Sequence, residues 1–156
     1  MPQAKSDAPR SIAKNRRALY EYEVLDKLTV GIVLTGTEVK SLRGGRISLQ
    51  ESYIVIKKGD LWLIQAHIPE YTHGNMWNHA PTRERKLLAK RREVDRWSKL
   101  VKQRGTTIVP LEVFWQGSLV KLEIALAQGK KLHDKRQSER EKSDKREMAR
   151  AVSRQR

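Results

Sequence analysis

Two long apolar segments near the end of the chain constrain its fold more than any other feature. Residues 107–115 and 119–126 are rich in aliphatic and aromatic side chains, and Gln116–Ser118 separates them as a turn. Within the second segment, apolar side chains alternate with more polar ones such as Lys121 and Glu123. This alternation predicts a strand of an antiparallel sheet that has one solvent-facing side.

The first half of the chain contains the same kind of pattern. Residues 22–28 and 31–35 predict two strands, the second rich in β-branched side chains. Residues 52–56 and 61–65 flank the turn Lys57–Asp60, which predicts a further hairpin. Antiparallel hairpins in so short a body predict a mainly β fold with flanking helices (α+β). A small, closed or nearly closed oligonucleotide-binding-type (OB-like) barrel fits this pattern best.

Three helices are predicted between these strands. Residues 36–45 combine helical spacing with a glycine pair that ends the helix. A basic helix is predicted for Arg83–Arg92, with Thr82 as its N-cap. Apolar residues at spacings of three and four predict another helix over residues 94–101, which Gly105 closes.

Composition divides the chain into three parts. Residues 1–13 are polar, contain two prolines and predict a disordered N-terminus. Residues 14–128 form the predicted barrel domain. Residues 129–156 are a basic tail that cannot bury a core, although most of its residues favour helices. We therefore expect the tail to be disordered when free and to become helical when its cations meet phosphates.

The net charge of the chain favours nucleic acid as its partner. The formal charge is +15 and the isoelectric point is near 10.3, so a strong positive field surrounds the molecule. An anionic membrane is the other polyanion to consider, but no apolar run is long enough to cross one. The N-terminus lacks the apolar core of a secretory signal, which predicts a cytoplasmic location.

Residues that could support catalysis or hold a metal are sparse. Cysteine is absent, and three loop histidines match no strong zinc spacing: His67, His73 and His79. Neither a phosphate-cradling loop nor a nucleophile elbow is present, and the carboxylates Glu38, Glu51 and Asp60 lie in unrelated contexts. We therefore expect no cofactor, no metal and no enzymatic activity. A metal-dependent nuclease and a resident ribosomal protein are the two alternatives.

Basic side chains near aromatic ones favour RNA over DNA. The predicted basic helix contains six cations: Arg83, Arg85, Lys86, Lys90, Arg91 and Arg92. A second cluster combines Asn15, Arg16 and Arg17 with Tyr20 and Tyr22. Arginine binds phosphate through two parallel hydrogen bonds and stacks on bases.

The other aromatic residues divide into two groups. Trp62, Trp97 and Trp115 lie in apolar runs and are expected in the core. Tyr71 and Trp77 lie in a polar loop. The sequence leaves open whether these two contact RNA or fasten the loop to the barrel.

The order of four motifs resembles that of the SsrA-binding protein (small protein B, SmpB) family. The resemblance extends from Asn15 to Arg136. It is carried by Gly31–Arg43, by Pro69–Tyr71 with Gly74-Asn75 and Asn78-His79, by Pro81–Leu88, and by Gly129–Arg136.

The resemblance implies an RNA-binding barrel that works with transfer-messenger RNA. Members of this bacterial family bind the tRNA-like domain of that RNA and enter stalled ribosomes with it, and elongation factor Tu delivers the charged RNA. The tail of such a protein lies in the empty mRNA channel near the decoding centre, where it becomes helical and signals that no message is present. No membrane, DNA or cofactor is implied.

Site residues follow from the matched motifs and from the basic clusters. The residues expected to contact transfer-messenger RNA are Asn15, Arg16, Arg17, Tyr20, Arg83, Arg85, Lys86 and Leu88. Those that the resemblance places at the decoding centre of the ribosome are Gly129, Lys130, Lys131, His133, Asp134, Lys135 and Arg136.

Three positions depart from the family's common pattern. Thr29 replaces an acidic residue that is implicated in RNA binding, and a hydroxyl is a weaker acceptor than a carboxylate. Tyr20 replaces a histidine found in some relatives, so stacking is kept but titration near neutral pH is lost. Gln128 replaces a common lysine, which removes one cation beside the tail.

Overall fold

The structure is a computed structural model that describes residues 9–72, 78–102, 105–130 and 132–154. The strands are β1 Arg10–Lys14, β2 Tyr22–Ile32, β3 Tyr53–Lys57, β4 Asp60–Ile64, β5 Arg85–Leu88, β6 Thr106–Gln116 and β7 Leu119–Gly129. The helices are α1 Arg16–Glu21, α2 Gly36–Arg43, α3 Arg91–Val101 and α4 Leu132–Arg154. None of the helices in these ranges is both long enough and apolar enough to span a membrane.

The strands form one antiparallel sheet that closes on itself. The order is β1-β6-β3-β4-β5-β2-β7, and β6 also pairs with β7. Strands β2 to β7 therefore form a continuous ring, and β1 adds to β6 beside the point where β3 leaves it. This ring with flanking helices confirms the mainly β prediction.

Apolar side chains fill the inside of the ring. Val30, Leu63, Val113, Leu122 and Ile124 are among its buried members, each at most 1 % exposed. Helix α3 contributes the buried indole of its tryptophan to the same cluster. A packed interior of this kind supplies most of the stability of a small domain.

Only part of β7 has a solvent-facing side. Ala125 and Ala127 point away from the main core, yet both are fully buried beneath Ala18 of α1. Alanine leaves room for a helix backbone to approach the sheet closely. The predicted alternation therefore holds for the first half of β7, and α1 covers the second half.

The final hairpin and the middle hairpin lie where the sequence predicts them. The middle turn contains Lys58 with φ 50° and Gly59 with φ 77°, as a tight connection requires. The predicted short helix is α2, and Thr35 and Glu38 form a reciprocal capping box at its start. The helix predicted over residues 94–101 is part of α3.

Of the three tryptophans expected in the core, one is fully inside. Trp97 is 0 % exposed, and Trp62 and Trp115 are half-buried. The ring of Trp62 lies 5.5 Å from the ammonium of Lys57, so its outer face packs against a cation.

The two strands expected over residues 22–28 and 31–35 are one. β2 runs without a break to Ile32, and the next three residues lie outside it. Gly31 lies within the strand, at a position where β5 approaches the backbone closely. A β-carbon at Gly31 would lie 3.2 Å from Cβ of Leu88. The glycine therefore marks a close approach rather than a turn.

The prediction of a basic helix over Arg83–Arg92 is wrong. Residues 85–88 form β5, which pairs with β4 and β2. Arg85 and Leu87 are buried and alternate with Lys86 and Leu88, which is the period of a strand. Pairing with Leu61 and Ile32 outweighs the helical preference of this lysine- and leucine-rich run.

The prediction of disorder up to residue 13 is wrong for its last part. Residues 10–14 form β1, which pairs with the second half of β6. That stretch of β6 extends beyond the reach of β3, and β1 satisfies its backbone groups. Ile12 and Ala13 also pack against the core. Residues 1–8 lie outside the described part of the chain.

Candidate RNA-binding surface

A buried carboxylate organises the start of β5. Glu38 of α2 is 0 % exposed and accepts a hydrogen bond from the backbone N–H of Thr35 at 2.8 Å. Its two carboxylate oxygens also pair with Arg83 and Arg85. One carboxylate therefore connects α2 to both arginines of the Pro81–Leu88 motif.

Arg85 belongs to the core of the protein and not to its surface. Its guanidinium is fully buried and donates to the carbonyls of Ala66 at 2.8 Å, Arg83 at 2.9 Å and Pro81 at 3.1 Å. A group enclosed in this way cannot reach a phosphate. The expectation that Arg85 contacts RNA is therefore wrong, because its charge is already neutralised by Glu38.

The pKa of Glu38 reflects this environment. Burial by itself raises the pKa of the carboxyl, because a charge is costly in a medium of low polarity. Hydrogen bonds from Arg83, the Thr35 backbone and Arg85 act in the opposite direction and together outweigh burial. The net result is a pKa below the ordinary value, so Glu38 is ionised at neutral pH.

The remaining members of the motif do face solvent. The side chain of Arg83 is one-third exposed and also donates to the Val33 carbonyl at 3.3 Å. The Lys86 ammonium lies 3.8 Å from Asp60, and Leu88 is 54 % exposed. Lys86 and Leu88 lie on β5 and Arg83 lies two residues before it. Two cations and an apolar side chain close together suit phosphates beside a base.

Asn15 holds α1 in place. It is 4 % exposed, caps α1 by accepting from the Ala18 N–H, and donates to the carbonyls of Leu49 and Pro110. All of these bonds are internal to the fold. The expectation of a direct RNA contact by Asn15 is therefore replaced by a positioning role, since its side chain is not accessible.

The other predicted RNA-binding residues of the cluster that contains Asn15 are accessible. Arg16 and Arg17 are exposed on α1, and Tyr20 is half-buried. Arg17 bonds to Glu21 and Glu51, both at 2.9 Å. The Glu21 hydrogen bond and charge, together with Glu51, raise the pKa of the Arg17 guanidinium further above its usual range. Because these pairs are exposed, a phosphate could displace either carboxylate.

The start of the tail is hydrogen-bonded to α1. Gly129 is the last residue of β7 and pairs with Tyr22. The backbone N–H of Lys130 donates to the Glu21 carbonyl at 2.9 Å, and its ammonium donates to the Leu19 carbonyl at 3.1 Å. A cation at the C-terminal end of a helix is favourable. The tail root, meaning Gly129 and Lys130, is thereby fixed to the body.

Other predicted tail residues are described only in part. Lys131 lies outside the described residues. His133, Asp134 and Lys135 belong to α4, but their side chains lie outside the described part, and Arg136 is exposed. Beyond the root, the structure therefore describes the backbone of α4 and the exposed side chain of Arg136.

The loop histidines differ from one another. His79 is 6 % exposed, and its two ring nitrogens lie 2.8 Å from the Thr37 hydroxyl and 2.8 Å from the Ile68 carbonyl. His67 is exposed, and residues 73–77, which include His73 and Trp77, lie outside the described part. In the ranges that the structure covers, no three metal-binding side chains come together.

Tyr71 is half-buried, and its backbone N–H and carbonyl both bond to the Asn78 side chain, at 3.2 and 2.8 Å. Its ring lies 5.5 Å from the ammonium of Lys40. Of the two roles left open for Tyr71, these contacts favour fastening the loop to the body.

The organising role of Glu38 was not predicted from the sequence. A threonine three residues before a glutamate is nevertheless the signal of a capping box, and it is present at Thr35 and Glu38. That signal predicts the helix start. It does not reveal that the same carboxylate also binds two arginines that lie 45 and 47 residues away.

Known proteins resemble this chain over nearly its whole length. A family model described as SmpB protein matches residues 12–154. Proteins named SsrA-binding protein from Bifidobacterium adolescentis and Thermobifida fusca are 51 % and 49 % identical. The alignments cover 96 % of this chain and 94 % of the first relative, and 99 % and 96 % for the second.

A solved structure shows the same likeness in three dimensions. It is described as "tmRNA-SmpB: a journey to the center of the bacterial ribosome" and matches with a TM-score of 0.65. The match is 40 % identical in sequence and covers 77 % of this chain and 85 % of the other. Sequence and fold therefore agree on the same group of proteins.

Proposed function

Because this chain belongs to the SmpB protein family, we propose that it binds the tRNA-like domain of transfer-messenger RNA and enables trans-translation, the rescue of stalled ribosomes. The observation that carries the proposal is the near full-length match to proteins named SsrA-binding protein. A charge of +15 supplies the attraction to a polyanion. Action on the ribosome fits a cytoplasmic location.

The body is the part that binds transfer-messenger RNA. Arg83, Lys86 and Leu88 at β5 and the exposed arginines of α1 contact it, and Tyr20 lies beside them. Glu38 and Asn15 keep β5 and α1 in position from inside the fold. The support for this assignment is exposure: these cations remain accessible, whereas Arg85 and Asn15 do not.

The tail binds the ribosome. It begins after the fixed root, and every side chain described between residues 140 and 150 is exposed. A helix with so little contact to the body is free to enter a separate channel. We assign residues 129–136 to the region of the decoding centre and the remainder of α4 to the empty mRNA channel. Elongation factor Tu as the carrier of the charged RNA stays a prediction.

The protein acts as an adaptor and not as an enzyme. Glu38, the most enclosed carboxylate of the described residues, is occupied by two arginines and is not available to a catalytic metal ion. Incubation of the pure protein with labelled transfer-messenger RNA and Mg²⁺ should leave the RNA intact. Cleavage would show that the adaptor assignment is incomplete.

Truncation tests the division between body and tail. The chain should be cut after Lys130, since Gly129 and Lys130 belong to the body. We expect the truncated protein to keep its affinity for the tRNA-like domain within about threefold and to lose peptide tagging on stalled ribosomes. Loss of RNA binding would refute the division.

Selectivity tests the proposal as a whole. RNA that co-purifies with the full chain from bacterial cells should be strongly enriched in transfer-messenger RNA over other transcripts. Recovery of random transcripts in proportion to their abundance would sink the proposal. An excess of ordinary tRNA serves as competitor, because it shares the charge and the elbow shape but lacks the remainder of the RNA.

A further inference from the structure

One strongly charged surface is not used by the function proposed above: the exposed face of α3. Residues 90–102 contain six cations and two carboxylates, a net charge of +4 over thirteen residues. The cations are Lys90, Arg91, Arg92, Arg96, Lys99 and Lys102. All six are exposed.

The helix is held in one orientation. Its tryptophan, Trp97, is fully buried, and the indole N–H donates to the Asp26 carboxylate at 3.2 Å. Arg96 donates to the same oxygen at 3.1 Å. At the start of the helix, Arg91 donates to the Gly59 carbonyl of the middle turn at 2.8 Å. The outward face is therefore fixed by contacts at both of these points.

Most of the charge on that face is not compensated. Lys90, Arg92, Lys99 and Lys102 form no ion pair and no side-chain hydrogen bond with any residue in the described ranges. Arg92 and Lys99 are two turns apart on the same side of α3, a separation of about 10 Å. Fixed cations in such a row suit successive phosphates of an RNA backbone.

The position of this face identifies the RNA. Asp26, which anchors α3, pairs with Leu126, and Tyr22 pairs with Gly129 at the tail root. These two points are three residues apart on β7, or about 10 Å. Strand β6 begins at Thr106 after α3 and pairs with Gln128, next to the root. The α3 face and the tail therefore leave the body at the same end of the ring.

We propose that the α3 face is a second RNA-binding surface, which binds phosphates of ribosomal RNA beside the entry point of the tail. The inference rests on the proposed function in one respect, that the tail occupies the ribosome. A partner bound by the tail therefore lies next to α3. The body then touches two RNAs at once and fixes the direction in which the tail enters.

Three exposed, unpaired cations provide the test. In the full chain, Arg92→Gln, Lys99→Gln and Lys102→Gln are combined, since glutamine keeps the helical preference. The matched control combines Arg10→Gln, Arg43→Gln and Arg46→Gln, which removes three exposed cations from other faces. A second variant, R92K/K99R/K102R, keeps the charges. Circular dichroism of each protein verifies that it is folded.

Two affinities are measured, one for the isolated tRNA-like domain of transfer-messenger RNA and one for small ribosomal subunits without message. We expect the α3 triple variant to lose about tenfold or more in affinity for subunits, with a salt slope lower by about three. Its affinity for the tRNA-like domain should stay within about twofold. The charge-keeping variant should bind both partners as the natural chain does.

Three results overturn the proposal. If the control loses as much subunit affinity as the α3 variant, only total charge matters. If neither variant loses affinity, the face is merely solvated. If the α3 variant loses affinity for the tRNA-like domain, α3 belongs to the first surface. Failure of the proposed function is a separate outcome, because the natural chain would then not bind that domain selectively.

Discussion

Glu38 and Arg85 form an ion pair in which neither side chain is exposed to solvent. The two residues are 47 positions apart in the chain, and their pairing connects α2 to β5. A buried pair of this kind does not by itself make a protein more stable than apolar packing would. Its value lies in geometry, because the same carboxylate fixes Arg83 at the edge of the candidate RNA-binding surface.

Replacement of Glu38 by glutamine should destabilise the protein strongly. Glu38→Gln leaves the buried Arg85 charge without its partner, and we expect the free energy of unfolding to fall by about 3–5 kcal/mol. Urea denaturation measures the change. The control is Glu84→Gln, because Glu84 is half-exposed and pairs with Lys57 at the surface. It should change stability little, and equal losses would show that Glu38 is not special.

The same pair should make stability depend on acid. The pKa of Glu38 is lower in the folded protein than its ordinary value of 4.5. A depressed pKa contributes stability that is fully present above the unfolded value and is lost as the pH falls through the folded value. The stability difference between the natural chain and Glu38→Gln should therefore be constant from pH 7 to 5 and shrink below about 4.5. A difference that grows in acid would contradict this sign.

Variants at β5 should separate phosphate contact from apolar contact. Lys86→Ala should lower the salt slope for binding the tRNA-like domain by about one. Leu88→Ala should weaken binding several-fold with no change in the salt slope. Its free energy of unfolding should stay close to that of the natural chain, because Leu88 is exposed. Lys14→Ala is the control, since the Lys14 side chain is also exposed and its ammonium likewise lies 3.8 Å from a carboxylate. An equal effect in the control would remove the case for β5.

The tail should gain helix when it binds. Side chains described between residues 140 and 150 are all exposed, so little apolar burial offsets the cost of ordering them. The structure contains α4 over residues 132–154, but a helix without packing is marginal in water, so the difference in circular dichroism between the full chain and the chain cut after Lys130 should show only part of this helix in the free protein. The helical signal should increase on addition of a polyanion. Full helicity of α4 in the free chain would show that folding does not depend on binding.

A cross-strand pair gives a physical reason for a neutral residue at position 29. Thr29 on β2 lies directly opposite Glu123 on β7. A glutamate at residue 29 would face a like charge, so Thr29→Glu should cost about 0.5–1 kcal/mol. The double variant Thr29→Glu/Glu123→Gln should recover that loss, as thermal or urea unfolding would show. If Thr29→Glu is as stable as the natural chain, the pairing does not explain the threonine.

Local signals were sufficient for much of the fold. The turn residues at Lys58 and Gly59 and the glycine pair after α2 define hairpin and helix without any knowledge of the remainder of the molecule. The alternation in β7 likewise predicts a strand. These elements have their causes within about ten residues of sequence.

The elements that were missed depend on distant partners. β5 is only four residues long, and its strand state comes from pairing with β4 and β2. β1 forms because β6 extends beyond the residues that pair with β3, and β1 pairs with that extension. The burial of Arg85 depends on Glu38, and that of Asn15 on the carbonyls of Leu49 and Pro110. A polar residue in a motif matched to RNA binding is therefore not necessarily in contact with RNA.

Among the described strands, β1 alone pairs with a single neighbour, so its outer edge is open. Open edges are the places where two copies of a protein can join their sheets and aggregate. This edge is only five residues long, is interrupted by a register shift between Ser11 and Ala13, and has Arg10 and Lys14 at its ends. Repulsion between these cations on two copies, together with the irregular hydrogen-bonding register, therefore disfavours edge-to-edge pairing of β1 strands. This protection matters most where several copies of the protein bind one RNA and lie close together.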